Sequence, residues 1–453
     1  MDTFLASSFG SFVMVLFQEL FTAPSWQSFA LLACGWALAP RQHTITTYLW
    51  LTGAATLKHF SRFYVFLGCP FYHARWRVWA CIIRHAAQVT PAEAPIVIEF
   101  DDTTKKKAGR HIEGVACYRH GAGSARQEYR TLRGLNFVLG VMRVPLPLWP
   151  GHAVTVPIGL ELYLNEEQAR LHHRPYRSRS ALARTIVDFV ATQLPGRQMR
   201  VLGDGGYATK EFLRDLPDTV EVVSRFLLSG TLYARPEPPA GKRRGRPPRK
   251  GELLGSPNTW ARRRRSWQPH PTEAKAEAQA WVGLWHTVLP GRLVRVVVVR
   301  RPAARPKQPG QRKPPPPVEA FFTTDLSLSV EDILQQYRDR WAVEITIRDS
   351  HTFDGLGHDQ CRKLQRMVGA NTFRLVMAGA RTLWFLAQAN QRPAMDLRRY
   401  RPWYRQKCAP SQLDMTWACR EALLEAGVFP IPRFTPDLAE NHEEQDHALS
   451  SAA

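Results

Sequence analysis

The stretch YRDRWAVEITIRDSH, residues 337 to 351, sets Tyr337, Arg340 and Glu344 at intervals of three and four. On a helix such positions share one face, so an aromatic ring, a guanidinium and a carboxylate point the same way. Two descriptions fit them. One is an i,i+4 ion pair on a partly solvated helix; the other is a metal ligand beside a clamp for phosphate. Two further acids bear on the choice: Asp101 ends the β-branched run IVIEFD, and Asp204 ends the short run RVLGD. Strand ends in one sheet converge, and a helix can pack across them. Three converging carboxylates repel one another unless a cation neutralises them, and hard oxygen ligands select Mg²⁺ or Mn²⁺. Two such ions about 4 Å apart can activate water and stabilise the leaving oxygen in phosphodiester cleavage.

The charge balance points to the same kind of partner. With 61 Lys and Arg against 39 Asp and Glu, the 453-residue chain carries a net charge of +22. A polyanion is therefore expected, because neutralising phosphates releases condensed counterions. Charge alone does not separate DNA from RNA or an anionic membrane. Seven Cys are scattered without a C-x-x-C pair, so neither a zinc module nor a disulfide framework is indicated, and a reduced, cytoplasmic protein is expected. The apolar run FALLACGWALA spans about half of what a bilayer needs, and no basic segment precedes it, so neither a membrane span nor a signal peptide is expected.

The elements that must position these groups follow from periodicity. Residues 10 to 90 read as helices, with Arg41, Lys58, Arg62, Arg75 and Arg77 interleaved beside Trp76 and Trp79. From Pro95 the character changes to strands: IVIEFDD, HIEGVACY, LNFVLGVMRV and AVTVPIGLELYL. A helix (SALARTIVDFVATQL), a strand (RVLGD), a helix (KEFLRDL) and a strand (TVEVVSRF) come next. That order predicts an α/β fold with a mixed sheet. Residues 229 to 317 are rich in Pro, Gly, Lys and Arg, relieved by an expected helix in EAKAEAQAWVGLWHTV and a strand in LVRVVVV. After the strand VEAFFTT, SVEDILQQYRDRWAVEITIRD reads as one long helix, and residues 366 to 389 as another. The acidic tail beyond about Pro436 has the composition of a disordered segment.

These motifs resemble the bacterial insertion-sequence transposases of the DDE class (DDE superfamily endonucleases), in the subgroup with the signature Y-x2-R-x3-E-x6-K. Tyr337, Arg340 and Glu344 match its first three letters, DDTTKKKAG resembles the first-aspartate motif, and VLGDGGYATKEFL the second. The resemblance spans roughly residues 40 to 390. It implies an RNase H-like mixed sheet flanked by helices, with an N-terminal helical domain and an insertion between the second and third acids. It also implies cleavage of the element's own ends and their joining to target DNA. Carried over by position, Asp101, Asp204 and Glu344 are the catalytic metal ligands for Mg²⁺ or Mn²⁺, as two ions, and Tyr337 and Arg340 place DNA phosphates near the scissile bond. Asp102 is the alternative first ligand, since Thr103 or Thr104 lets either aspartate fit the pattern. Alternation favours Asp101, which shares the polar strand face with Glu99 opposite Ile98 and Phe100.

On this reading the chain divides into residues 1–90, a helical DNA-end-binding domain; 91–228, the first part of the catalytic core; 229–317, the basic insertion; 318–400, the rest of the core with the Glu-bearing helix; and 401–453, a C-terminal region with the acidic tail. The implied partners are double-stranded DNA, as terminal inverted repeats and target, and further copies of the chain on that DNA. The location is then the nucleoid. The final Lys of the signature is replaced by His351, so that either the imidazole or Arg348 makes the last phosphate contact. Lys105, Lys106 and Lys107 follow the first aspartate and face DNA or solvent. KRRGRPPRKG, residues 242 to 251, is similar to an AT-hook with Arg243, Arg244 and Arg246 in the minor groove, or is a solvated basic loop. A catalytically impaired, DNA-binding descendant of such an enzyme is the alternative function. The presence of all three acids disfavours it.

Overall fold

A computed structural model describes residues 1–39, 41–119, 131–236, 248–263, 267–303, 317–391 and 402–428. The N-terminal helices are α1 (Asp2–Ala6), α2 (Ser8–Phe17), α3 (Ala23–Leu38), α4 (Ile45–Thr52), α5 (Ser61–Gly68) and α6 (Pro70–Val89). Strands β1 (Ile96–Lys106), β2 (Ala116–Arg119), β3 (Thr131–Pro145) and β4 (Ala153–Tyr163) follow. Then come α7 (Glu166–Leu171), α8 (Arg179–Gln193), β5 (Met199–Gly203), α9 (Lys210–Leu213) and β6 (Val220–Arg225). The region expected to be an insertion supplies β7 (Leu232–Tyr233), β8 (Leu253–Gly255), α10 (Pro257–Trp260), β9 (Gln268–Pro269), β10 (Glu277–Leu284) and β11 (Leu293–Arg300). The chain continues through β12 (Val318–Thr323), α11 (Val330–Asp339), α12 (Trp341–Asp349), α13 (Leu364–Gln391) and α14 (Gln412–Glu425).

Among the described residues the strands form one mixed sheet in the order β2-β3-β1-β5-β6-β12-β11-β10-β7-β8, with β4 also on β3 and β9 on β10. The pair β1–β3 is antiparallel, whereas β1–β5 and β5–β6 are parallel. This large mixed sheet flanked by helices is consistent with an RNase H-like fold. Parallel neighbours need covered faces. One face carries α8, whose Ile186 presses on both Gly140 and Gly159, where a Cβ would stand 3.0 Å and 2.9 Å from it. The other face carries α11, which buries Ile333 and Leu334 against Leu202, Val223, Val297 and Phe321.

The N-terminal helices share a core with the sheet: Phe29 and Phe71 meet Phe373 of α13 edge-on, and one apolar cluster runs from Phe4 to Val428. No described helix is long and apolar enough to cross a membrane.

Two expectations are corrected. The segment expected as a helix in EAKAEAQAWVGLWHTV contains strand β10, because its Ala, Gln and Val side chains pair along the whole of the valine-rich β11. Tertiary pairing here overrides local helix propensity. The single long helix is two, α11 and α12, separated at Arg340 (φ −49°, ψ −24°), and its end passes into a π-turn at Ser350–Asp354. The AT-hook arginines Arg243, Arg244 and Arg246 and the acidic tail lie outside the described residues.

Candidate functional site

Strand register gathers the first two acids. The pairing Ile96↔Met199 to Glu99↔Leu202, continued by two residues, sets Asp101 abreast of Asp204 just past the end of β5, on the carboxyl side of the parallel pairing, where open α/β sheets place their sites. Asp101 itself does not end its strand, because β1 runs on to Lys106 along β3. Alternation along β1 then separates the two candidate first ligands. Glu99, Asp101 and Thr103 share one face, the side of α12. There the Thr103 hydroxyl lies 3.0 Å from His351 Nε2. Phe100 faces α8 and α9, with its ring against Tyr207 and Phe212.

Asp102 shares the Phe100 face and is already partnered. Its Oδ2 accepts from Asn136 Nδ2 at 2.8 Å and pairs with Arg179 Nε at 3.3 Å. Asp101 has no such cation bonded to it; its Oδ1 accepts the Asp102 backbone N–H at 2.8 Å. Burial pushes its carboxyl up to about 7, and the charges of Asp102 and Asp204 add to that, while the Asp102 amide and the Arg340 guanidinium oppose it. Asp204 Oδ1 accepts the Gly206 N–H at 2.8 Å, in the turn that follows β5.

The helix side supplies the remaining groups. Arg340 stands at the α11–α12 junction, its Nη2 donating to Glu344 Oε1 at 2.9 Å and its guanidinium 5.5 Å from the Tyr337 ring centre. Burial works against the Arg340 charge, but Tyr337, Glu344 and Asp101 outweigh it and raise its pKa. The Tyr337 ring packs 4.6 Å from Phe321, and the Arg225 guanidinium is 5.8 Å from it. Burial, and less strongly Asp204, raises the pKa of the Tyr337 phenol against the pull of Arg225 and Arg340. The Arg340 charge thus reaches Asp101 and the Tyr337 phenol feels Asp204, whereas Glu344 is engaged in the i,i+4 ion pair with Arg340 and is not joined to either aspartate.

The chemistry of the donor set fits a divalent cation at Asp101 and Asp204: neighbouring carboxylates whose charges act on each other, the first raised by burial and like charge. Among the described residues, no three His, Cys, Asp or Glu side chains stand close enough together to hold a metal ion.

His351 is fixed at both ring nitrogens, Nε2 by Thr103 and Nδ1 at 2.9 Å from the Leu356 carbonyl. Burial, helped by Lys105, lowers its pKa below 6.5 against the pull of that carbonyl. A base with a lowered pKa is neutral through the whole range from pH 7 to 8.5. The ratio of His351→Lys to wild-type cleavage is therefore expected to be the same at pH 7 and pH 8.5; a ratio that climbs with pH would show the imidazolium acting on phosphate. Lys106 is exposed, and the Lys105 stem lies against Gly357. Lys107 is spent internally, on the Gly357 carbonyl at 3.1 Å and Asp359 at 3.3 Å.

Three residues at the site went unnoticed in the sequence. Asn136 and Arg179 bind Asp102, and Tyr207 lies among all three aspartates, whose charges add to burial in raising its phenol far above the usual range. The motif DGGY carried a signal for Tyr207, since it places a large ring three residues after Asp204. For Asn136, in mid-strand, there was none.

A family model described as DDE superfamily endonuclease matches residues 16–286. The match takes in Asp101 and Asp204 and stops short of Glu344. No curated protein matches the chain.

Proposed function

The chain belongs to the DDE superfamily endonucleases, and on that premise we propose that it is a DNA transposase of the Y-x2-R-x3-E-x6-K subgroup, cutting the ends of its own insertion sequence and joining them to target DNA. The observation that carries the reading is the setting of Asp101 abreast of Asp204, with the Arg340 charge reaching Asp101 from the helix junction next to Glu344. Asp101 and Asp204 would hold a divalent cation, Mg²⁺ or Mn²⁺, with Glu344 as third ligand and Asp102 kept for Asn136 and Arg179. Bound there, two such ions supply Lewis-acid stabilisation of the attacking and leaving oxygens. Arg340 and Tyr337 receive a phosphate of the bound strand. A phosphate that takes the Arg340 guanidinium frees the Glu344 carboxylate to turn toward the aspartates, so substrate binding completes the acid set.

Residues 1–90 are assigned to DNA ends, residues 229–317 to an insertion within the core, and the working form to copies of the chain assembled on DNA at the nucleoid. The test is incubation with Mg²⁺ of a plasmid carrying the gene and its flanking DNA. Nicks at the borders of inverted repeats, followed by joining to a second plasmid, are expected. Binding without any nicking would favour the impaired, DNA-binding descendant, a reading that the Arg340–Glu344 pair and the His at position 351 support.

The basic segment 242–251 adds a sequence-tolerant grip on DNA. Its deletion removes six Lys or Arg and is expected to flatten the slope of log affinity against log salt by up to about 5. An A·T hook would lose more on A·T-rich than on G·C-rich duplexes, whereas equal losses would leave a basic loop.

A further inference from the structure

We propose that Arg143 is a positioning residue, fastening the Arg340–Glu344 segment to the strand that bears Asp101. Arg143 lies on β3, opposite Val97 of β1. Its Nη2 stands 2.6 Å from Oε1 of Glu99, a fully buried carboxylate two residues before Asp101 on the same strand face. The same guanidinium reaches across to the last residue of α11: Nη1 donates to Asp339 Oδ2 at 2.9 Å and Nη2 to the Asp339 carbonyl at 2.5 Å. Asp339 immediately precedes Arg340. One forked cation therefore joins two strands of the sheet to the point where the helix breaks.

The break explains why a fastening is needed. At Arg340 the chain leaves α11 and enters α12 without a Gly, a Pro or a side-chain cap to fix the angle. The Arg340 N–H serves the Gln336 and Arg338 carbonyls, and the guanidinium of Arg143 serves the Asp339 carbonyl and complements the helix dipole. Glu99 also faces the Val343 amide in the first turn of α12. Neither Glu99 oxygen has a hydrogen bond of good geometry, so charge holds the contact and Arg143 supplies it. Lysine cannot replace this arrangement, because a point charge reaches Glu99 or Asp339 but does not span both as a planar fork does.

This assignment rests on Arg340 and Glu344 serving DNA cleavage as proposed above. Displacing a catalytic element by about 1 Å costs on the order of a hundredfold in rate. Three proteins are compared with wild type: Arg143→Met, Arg143→Lys and the double variant Glu99→Met/Arg143→Met, which removes the buried pair as a unit. Single-turnover cleavage of the plasmid described above should fall about a hundredfold in Arg143→Met and at least about tenfold in Arg143→Lys, with plasmid affinity within about threefold. The double variant should regain the melting temperature that Arg143→Met loses but not its rate. A rate that recovers together with melting temperature, or a wild-type rate in Arg143→Lys, would overturn the proposal.

Hydrogen exchange separates this inference from the function. Amides of residues 340 to 349 should exchange at least about tenfold faster in Arg143→Met and in the double variant, with the β1–β3 ladder still protected. Unchanged exchange there would overturn the positioning role even in a protein that cuts no DNA. Faster exchange without wild-type cleavage would leave the positioning role standing and the nuclease reading wrong.

Discussion

Single-turnover cleavage is expected to fall on the order of a thousandfold or more when Asp101, Asp204 or Glu344 is replaced by Ala, with duplex binding within about threefold of wild type. Groups that act as a unit on one cation are not additive, so the double variant Asp101→Ala/Asp204→Ala should cost little more than either single change. Binding survives because it draws on the 61 Lys and Arg of the chain, all of which these substitutions leave in place. Asp102→Ala provides the contrast. Asp102 faces α8 and is held by Asn136 and Arg179, so its loss should cost less than tenfold, through a loosened strand end. Equal losses at Asp101 and Asp102, or full activity in Asp204→Ala, would remove the site as described here.

The second large effect is on stability, and it depends on pH. The Asp101 carboxyl titrates near 7 in the folded chain because burial and the neighbouring aspartates disfavour its charge, against about 3.9 when unfolded. A raised carboxylate works against folding once the unfolded value is passed. The cost is absent below about pH 4, grows between pH 4 and 7, and is complete above the folded value. Asp101→Asn removes it while keeping the shape. The variant should be more stable than wild type at pH 8 by about 1–3 kcal/mol, after discounting for partial solvent exposure, and no more stable at pH 4. Glu99, also raised to about 7 by burial, is common to both proteins and cancels in the difference. Added Mg²⁺ at pH 8 should stabilise wild type and leave the Asn variant unchanged, closing the gap. Equal gains at pH 4 and pH 8 would mean that Asp101 carries no buried charge.

Much of this was legible before any coordinates. The strands that carry Asp101 and lead to Asp204 could be read because apolar runs precede both, and α8 and α13 because their apolar residues recur at helical spacing over long stretches. The end expected at Asp101 was misplaced, since pairing with β3 carries β1 on to Lys106. The choice of Asp101 over Asp102 rested on alternation alone, and the structure places the two side chains on opposite faces of β1. Other features had no local signal. The segment around Ala278 and Trp281 is rich in helix-forming residues and becomes a strand only because β11 lies beside it and Trp260 stacks on Trp281 at 4.3 Å. Likewise the break at Arg340 has no Gly or Pro to announce it, and the residue that bonds to its edge at Asp339, Arg143, lies 196 positions away in sequence. Tertiary partners of that kind are invisible to periodicity.

The central claim is that a divalent cation held by Asp101, Asp204 and Glu344 contacts the oxygen that leaves the scissile phosphate. It is tested most directly with an end duplex whose leaving 3′ oxygen is replaced by sulfur, once the plasmid assay has mapped the cut. Sulfur binds Mg²⁺ poorly and the softer Mn²⁺ better. The account predicts that cleavage of the sulfur duplex fails in Mg²⁺ and returns in Mn²⁺, with the oxygen duplex cut in both. Equal cleavage of the two duplexes in Mg²⁺ would contradict it.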